Sequence, residues 1–232
     1  MNKHVSALLV GVSAGTLASL ILFLKGLGIY EIGSYFFFWI GVSLIWSFIH
    51  SGISGWLKGL LLAEIFAVPL IILTIGSYQG ESLVYIILNV VLINAFIGAA
   101  VGYFNGLSYA GLPAQAQYVK DAQMKISVAL LSGFAAFLLN LIPILLNGEG
   151  VFLMLSNLIS WLALSVIISL SSVRLKGWLT GFIVVELAIL PVALVFFEQK
   201  QLSGILTVIS TGILGATLGA FNGKYAKAVV WK

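Results

Sequence analysis

Eight apolar runs, each about as long as a bilayer is thick, govern what this chain can become. They cover roughly residues 5–24, 32–49, 55–76, 82–104, 126–146, 150–172, 177–197 and 202–222. A helix needs about 20 mostly apolar residues to cross the hydrocarbon. Inside a bilayer every backbone N–H and C=O must be bonded within the protein, which leaves helices or closed barrels. These runs are apolar on all sides and far longer than a strand, so helices are expected. Composition agrees. Of the 232 residues 61% are hydrophobic and 8% are charged, whereas a soluble domain carries about 25% charged residues. The first run is too long for the apolar core of a secretory signal, and no small-residue cleavage site leads into a polar mature domain.

Basic residues orient the expected bundle. With the N-terminus in the cytoplasm, Lys3, Lys58, Lys120, Lys125, Arg174, Lys176, Lys224, Lys227 and Lys232 fall inside, and only Lys25 and Lys200 fall outside. Positive residues gather on the cytoplasmic side of short loops. The expectation is an integral protein of a prokaryotic cytoplasmic membrane with both termini inside. Omitting one span would scramble this asymmetry, so it supports the even count independently.

The chain also repeats itself. At a shift of 122 residues, no gap is needed from Val5 to Pro69. Ala7-Leu8-Leu9 falls on Ala129-Leu130-Leu131, Trp39 on Trp161, Ser43 on Ser165, Gly55-Trp56-Leu57 on Gly177-Trp178-Leu179, Glu64 on Glu186 and Pro69 on Pro191. After a five-residue deletion the shift is 117, and Gly98, Gly102 and Phe104-Asn105-Gly106 meet Gly215, Gly219 and Phe221-Asn222-Gly223. Four spans per half return the chain to its starting side, so the halves must run parallel, whereas inverted repeats need an odd number. The expected fold is all-α, with eight transmembrane helices as two parallel four-helix repeats. A pseudo-two-fold along the membrane normal relates them. Residues 1–110 form the first repeat, 111–126 a polar cytoplasmic linker read as a short helix, and 127–232 the second repeat.

Glu64 and Glu186 are the leading site residues. Each lies midway along a span, eight residues after a Trp and five before a Pro. A carboxylate at the bilayer centre costs about 2.5–3.5 kcal/mol on insertion scales. Facing an internal cavity, the pair would carry protons or bind a cation. The structural reading is a neutral carboxyl bonded to a neighbouring helix. Lys58 lies about 240° around its helix from Glu64, and its counterpart is Thr180, so no ion pair is repeated. Asn94 and Thr211, at the aligned mid-depth of spans four and eight, are the expected neighbours of Glu64 and Glu186.

A second pattern places Tyr35, Trp39, Ser43 and Ser47 on one face of span two, and Asn157, Trp161, Ser165 and Ser169 on the same face of span six. Trp39 and Trp161 above paired serines would line a solute path, or would pack helices with the serines bonded to their own turns. Glycines spaced by four, as in Gly55/Gly59, Gly98/Gly102/Gly106, Gly177/Gly181 and Gly215/Gly219/Gly223, let helices approach closely. Pro69 and Pro191 are expected to kink spans three and seven. Asn105 and Asn222 are read as helix ends.

Other chemistries lack parts. No cysteine is present, so disulfides and thiolate metal sites are excluded. The net charge of +4 is too small and too dispersed for nucleic acid. The two histidines, His4 and His50, lie at helix ends, and the His50–Ser51 neighbourhood is not repeated. Asp121 is the sole aspartate, which excludes a two-aspartate intramembrane protease. No enzyme, cofactor or metal is expected. The function that fits is transport of a small solute or cation, for which the mid-membrane glutamates offer a route to proton coupling. The alternative is a non-transporting scaffold, or the integral subunit of a larger membrane complex. Expected partners are the lipid bilayer, the solute, and another copy or complex subunit.

Overall fold

The computed structural model describes residues 3–49, 52–77, 83–109, 116–146, 150–199 and 201–231. His50, Glu149, Lys200, Lys232 and residues 111–115 of the expected linker lie outside these. Eight helices form in chain order: α1 (Lys3–Leu24), α2 (Ile29–Phe48), α3 (Gly55–Ser77), α4 (Leu83–Tyr109), α5 (Ala122–Leu146), α6 (Val151–Leu170), α7 (Gly177–Gln199) and α8 (Gln201–Tyr225). All eight are long and apolar enough to cross a membrane. They match the eight apolar runs, because in an apolar solvent a helix satisfies its own backbone.

Local chemistry sets the ends. Gly26 closes α1 in the left-handed region at φ 76°. Leu27 N–H then bonds Leu22 O at 3.2 Å and Gly26 N–H bonds Phe23 O at 2.9 Å, which together satisfy carbonyls of the last turn. At the start of α2 the Glu31 carboxylate accepts from Gly28 N–H at 2.9 Å. Both α3 and α7 run through their internal proline.

Each odd-numbered helix packs on its successor, α1 on α2, α3 on α4, α5 on α6 and α7 on α8. Between the halves, α2 packs on α7 and α3 on α6. The glycine rows are the seams of two of these pairs. A Cβ at Gly55 would stand 2.7 Å from Gly102 O, and one at Gly177 would stand 2.5 Å from Gly219 O. Backbone cannot give way at such distances, so only glycine permits this approach.

The end of the bundle that carries both chain termini is stitched by short backbone pairings. Among the described residues of the expected linker, Ala116–Tyr118 form a strand, β1, antiparallel to β2 (Val229–Trp231) of the C-terminal tail, in place of the expected short helix, and α5 already begins at Ala122. The tail supplies hydrogen-bond partners that an isolated polar turn of helix lacks. Ile49 and Ser171, which cap α2 and α6, form an antiparallel bridge with one another.

Candidate functional site

The two glutamates occupy matching turns in different surroundings. Each is half-buried on the flank of its helix, and the neighbours of Glu64, Leu61 and Ile65, are exposed. In the second half the Thr211 hydroxyl lies 3.2 Å from Glu186 Oε1 and donates to it, sharing its proton with Thr207 O at 2.7 Å. Gly212 makes the room: a Cβ there would sit 3.1 Å from Glu186 Oε1 and 2.9 Å from the Phe182 ring. The aligned residue on α4 is Ala95, which adds a methyl at that seat. Glu64 Oε1 is shielded from solvent and has no hydrogen-bond partner. The expected neighbour relation therefore forms for Glu186 with Thr211, and no hydrogen bond joins Glu64 to Asn94. Nor do the carboxyls share one site. Their helices are not a packed pair, because α3 lies on α4 and α6 while α7 lies on α8 and α2.

Asn94 faces elsewhere. It is 5% exposed and lines a cavity of about 70 Å³ between α2, α3, α4 and α7. Ser34, Tyr35, Phe38 and Pro191 are among the other walls. Of Glu64, Glu186, Asn94, Thr211, Trp39, Trp161, Ser43 and Ser165, Asn94 alone lines it, together with Tyr35 of the Trp–Ser face. This cavity lies away from the terminal end, where α2 and α4 begin and α3 and α7 finish.

The Trp–Ser faces of α2 and α6 turn inward, each within its own half. Trp39, Ser43, Trp161 and Ser165 are at most 2% exposed. Ser43 Oγ donates to Ala7 O at 2.6 Å, and Ser165 Oγ donates to Ala129 O at 2.5 Å. The packing reading of these serines is the one their contacts support. Their bonds reach across to α1 and α5 rather than back to their own turns.

Asn105 and Asn222 correct the sequence reading. They do not end helices, since α4 continues to Tyr109 and α8 to Tyr225. Both are fully buried and reach the serines: Asn105 Nδ2 donates to Ser43 Oγ at 2.8 Å, and Asn222 Nδ2 to Ser165 Oγ at 2.8 Å. The signal that could have found them is their place on the glycine faces of α4 and α8, beside Gly106 and Gly223. Ser132 Oγ also donates to Asn222 Oδ1 at 2.7 Å. Val10 occupies the aligned place in α1, and Asn105 Oδ1 is buried without a partner. Trp39 Nε1 is a third such atom.

At the terminal end two lysines cap helix carbonyls. Lys58 Nζ donates to Ile49 O at 3.0 Å and stands 3.8 Å above the Trp46 ring. Lys227 Nζ donates to Ser171 O, the matching position in the second half. A cation at a helix C-terminus meets the negative end of its dipole. Thr180 does not repeat Lys58, but the tail brings an ammonium to the same place. Burial pulls the Lys227 pKa down to about 8. His4 Nδ1 lies 2.9 Å from Ser47 Oγ, whose proton also has Leu44 O at 2.7 Å. Ser47 is 1% exposed, too deep for a substrate to reach.

Among the described residues no three His, Asp or Glu side chains gather to hold a metal. The groups on offer are carboxyls, amides and hydroxyls, suited to hydrogen bonding and proton exchange. No protein-family model, curated protein or solved structure matches the chain.

Proposed function

We propose that this protein carries a small solute or cation across a prokaryotic cytoplasmic membrane, coupled to protons through Glu64. The observation that carries the reading is the buried, unpartnered Oε1 of Glu64, set against its bonded counterpart Glu186. A polar atom shielded from solvent without a partner costs free energy. A carboxyl that keeps such an atom in mid-membrane is poised to exchange a proton or take a ligand. In this reading Glu186 is the structural member of the pair. Both termini face the cytoplasm, following the basic residues. The eight helices form two parallel repeats about an axis along the membrane normal. In support, α2 on α7 mirrors α3 on α6, and the bridge joins Ile49 to its own counterpart Ser171.

The test is proton and solute flux in liposomes for wild type, Glu64→Gln and Glu186→Gln, with thermal stability read on the same samples. Gln keeps the shape of the neutral acid and cannot exchange a proton in this range. Coupled flux should vanish in Glu64→Gln and persist in Glu186→Gln, with both folds intact. Flux unchanged in Glu64→Gln removes that residue from the mechanism. A second reading, a scaffold or integral subunit of a membrane complex, draws on the closed serine–asparagine contacts and on the half-exposed flank of Glu64. It expects both Gln variants to be silent.

A further inference from the structure

We infer that the cavity between α2, α3, α4 and α7 binds a small uncharged polar molecule that both donates and accepts hydrogen bonds, such as a small amide or alcohol. This rests on the transport reading, because it names the solute class for it. Three polar side chains meet at the cavity, Ser34, Tyr35 and Asn94. None of them makes a hydrogen bond among the described residues, although Asn94 is 95% buried. A buried amide costs free energy until its two donors and its carbonyl are met. A ligand with a donor and an acceptor meets both ends at once.

Size and charge narrow the class. The volume is about 70 Å³, and a water needs only about 10–15 Å³ of such space, so the cavity holds several waters or one small solute. Among the described residues no charged side chain lines it, and Phe38, Ile87 and Pro191 give it apolar walls. An ion entering there would lose hydration with no charged group in the described lining to replace it, the Glu31 carboxylate one turn before Tyr35 lying outside the lining. Glu64 is not among the lining residues, so solute and proton sites are separate groups. Among the described residues the matching side chains of the second half are already bonded. Thr211, the counterpart of Asn94, is bonded to Glu186, and Asn157, the counterpart of Tyr35, accepts from Asn140 Nδ2 at 3.1 Å.

The experiment uses the full chain in lipid nanodiscs with nitrogen-15 asparagine. The Asn94 side-chain amide resonance is identified by its loss in Asn94→Leu. Acetamide, and separately methylammonium, are titrated. Acetamide should shift this resonance saturably, and methylammonium should leave it in place. Val90→Phe, which fills the cavity and retains Asn94, should lose the acetamide shift. A resonance that acetamide does not move, that moves equally in Val90→Phe, or that methylammonium moves as far, overturns the site. Acetamide flux into liposomes is read alongside. A shift without flux upholds the site and removes the transport reading. Flux that persists undiminished in Asn94→Leu and Val90→Phe, with no shift, upholds transport and overturns the site.

Discussion

Asn105 and Asn222 stand at matching turns of α4 and α8, yet only Asn222 has both ends of its amide bonded. Glu64 and Glu186 differ in the same sense. So do Asn94, open to the cavity, and Thr211. Among the described residues, the three buried side-chain polar atoms without partners, on Trp39, Glu64 and Asn105, all lie in the first half. The backbone frame is nevertheless shared: the same glycines meet the same carbonyls at both seams. Matching glycine seams thus coexist with side chains that differ between the halves. Val10 stands where Ser132 does and Ala95 where Gly212 does, and both exchanges lie beside polar groups that differ in their bonding. Closed groups serve stability, and open ones are where exchange and binding are proposed.

The hardest blow to this comparison would come through its shared frame. Gly59→Leu and Gly181→Leu each drive a side chain into facing glycine backbone. Each should cost more than about 3 kcal/mol, because overpacking against backbone cannot relax. Little folded protein should be recovered from either, as judged by size-exclusion profiles in detergent. A large difference between the two variants would break the claim of one frame.

Next in size is the exchange of Val10 and Ser132. Ser132→Val strands Asn222 Oδ1 and should destabilise by about 1–3 kcal/mol. Val10→Ser offers Asn105 Oδ1 the same donor and should stabilise by about 1 kcal/mol. Denaturant unfolding of both variants checks the opposite signs. Equal signs would mean the open oxygen is not a consequence of Val10.

A smaller effect is expected at Gly212. Gly212→Ala copies Ala95 into the second half and crowds Glu186 Oε1. Loss of the Thr211 contact should cost about 1 kcal/mol. If the proposed role of Glu64 depends on its being unbonded, the variant should also let the Glu186 carboxyl exchange protons, which infrared spectroscopy in heavy water would reveal as a shifted carboxyl band.

The smallest is the pH response of the tail. Burial holds the Lys227 pKa down at about 8 in the folded chain, against about 10.4 for an exposed lysine. Between these values the unfolded chain binds more protons, so stability rises with pH across that window and is unaffected below it. The rise should be missing from the thermal midpoints of Lys227→Met measured over the same range. Its survival there would assign it to another lysine.

Hydropathy and small-residue spacing are local, one-dimensional properties, and they located all eight helices and the glycine seams. Their errors were at the ends. The sequence placed the fourth span at 82–104 and the fifth from residue 126, whereas α4 runs on to Tyr109 and α5 begins at Ala122. Polar residues extend a helix past the hydrocarbon when neighbours take their side chains, as Ser43 takes Asn105. The linker strand escaped notice because its partner is the tail, about 110 residues away.

By itself the sequence determined that this chain is a bundle of membrane-length helices, that a carboxyl sits in mid-run twice, and which small residues allow close approach. Those properties follow from the solvent and from spacing along one helix. Only the tertiary structure decided that Asn94 turns to a cavity while Thr211 turns to Glu186, that Asn222 finds Ser132 while Asn105 meets Val10's helix without a donor, and that Lys227 arrives where Thr180 does not. Each outcome depends on which helices lie side by side and on the space one methyl takes, and neither is encoded in hydropathy.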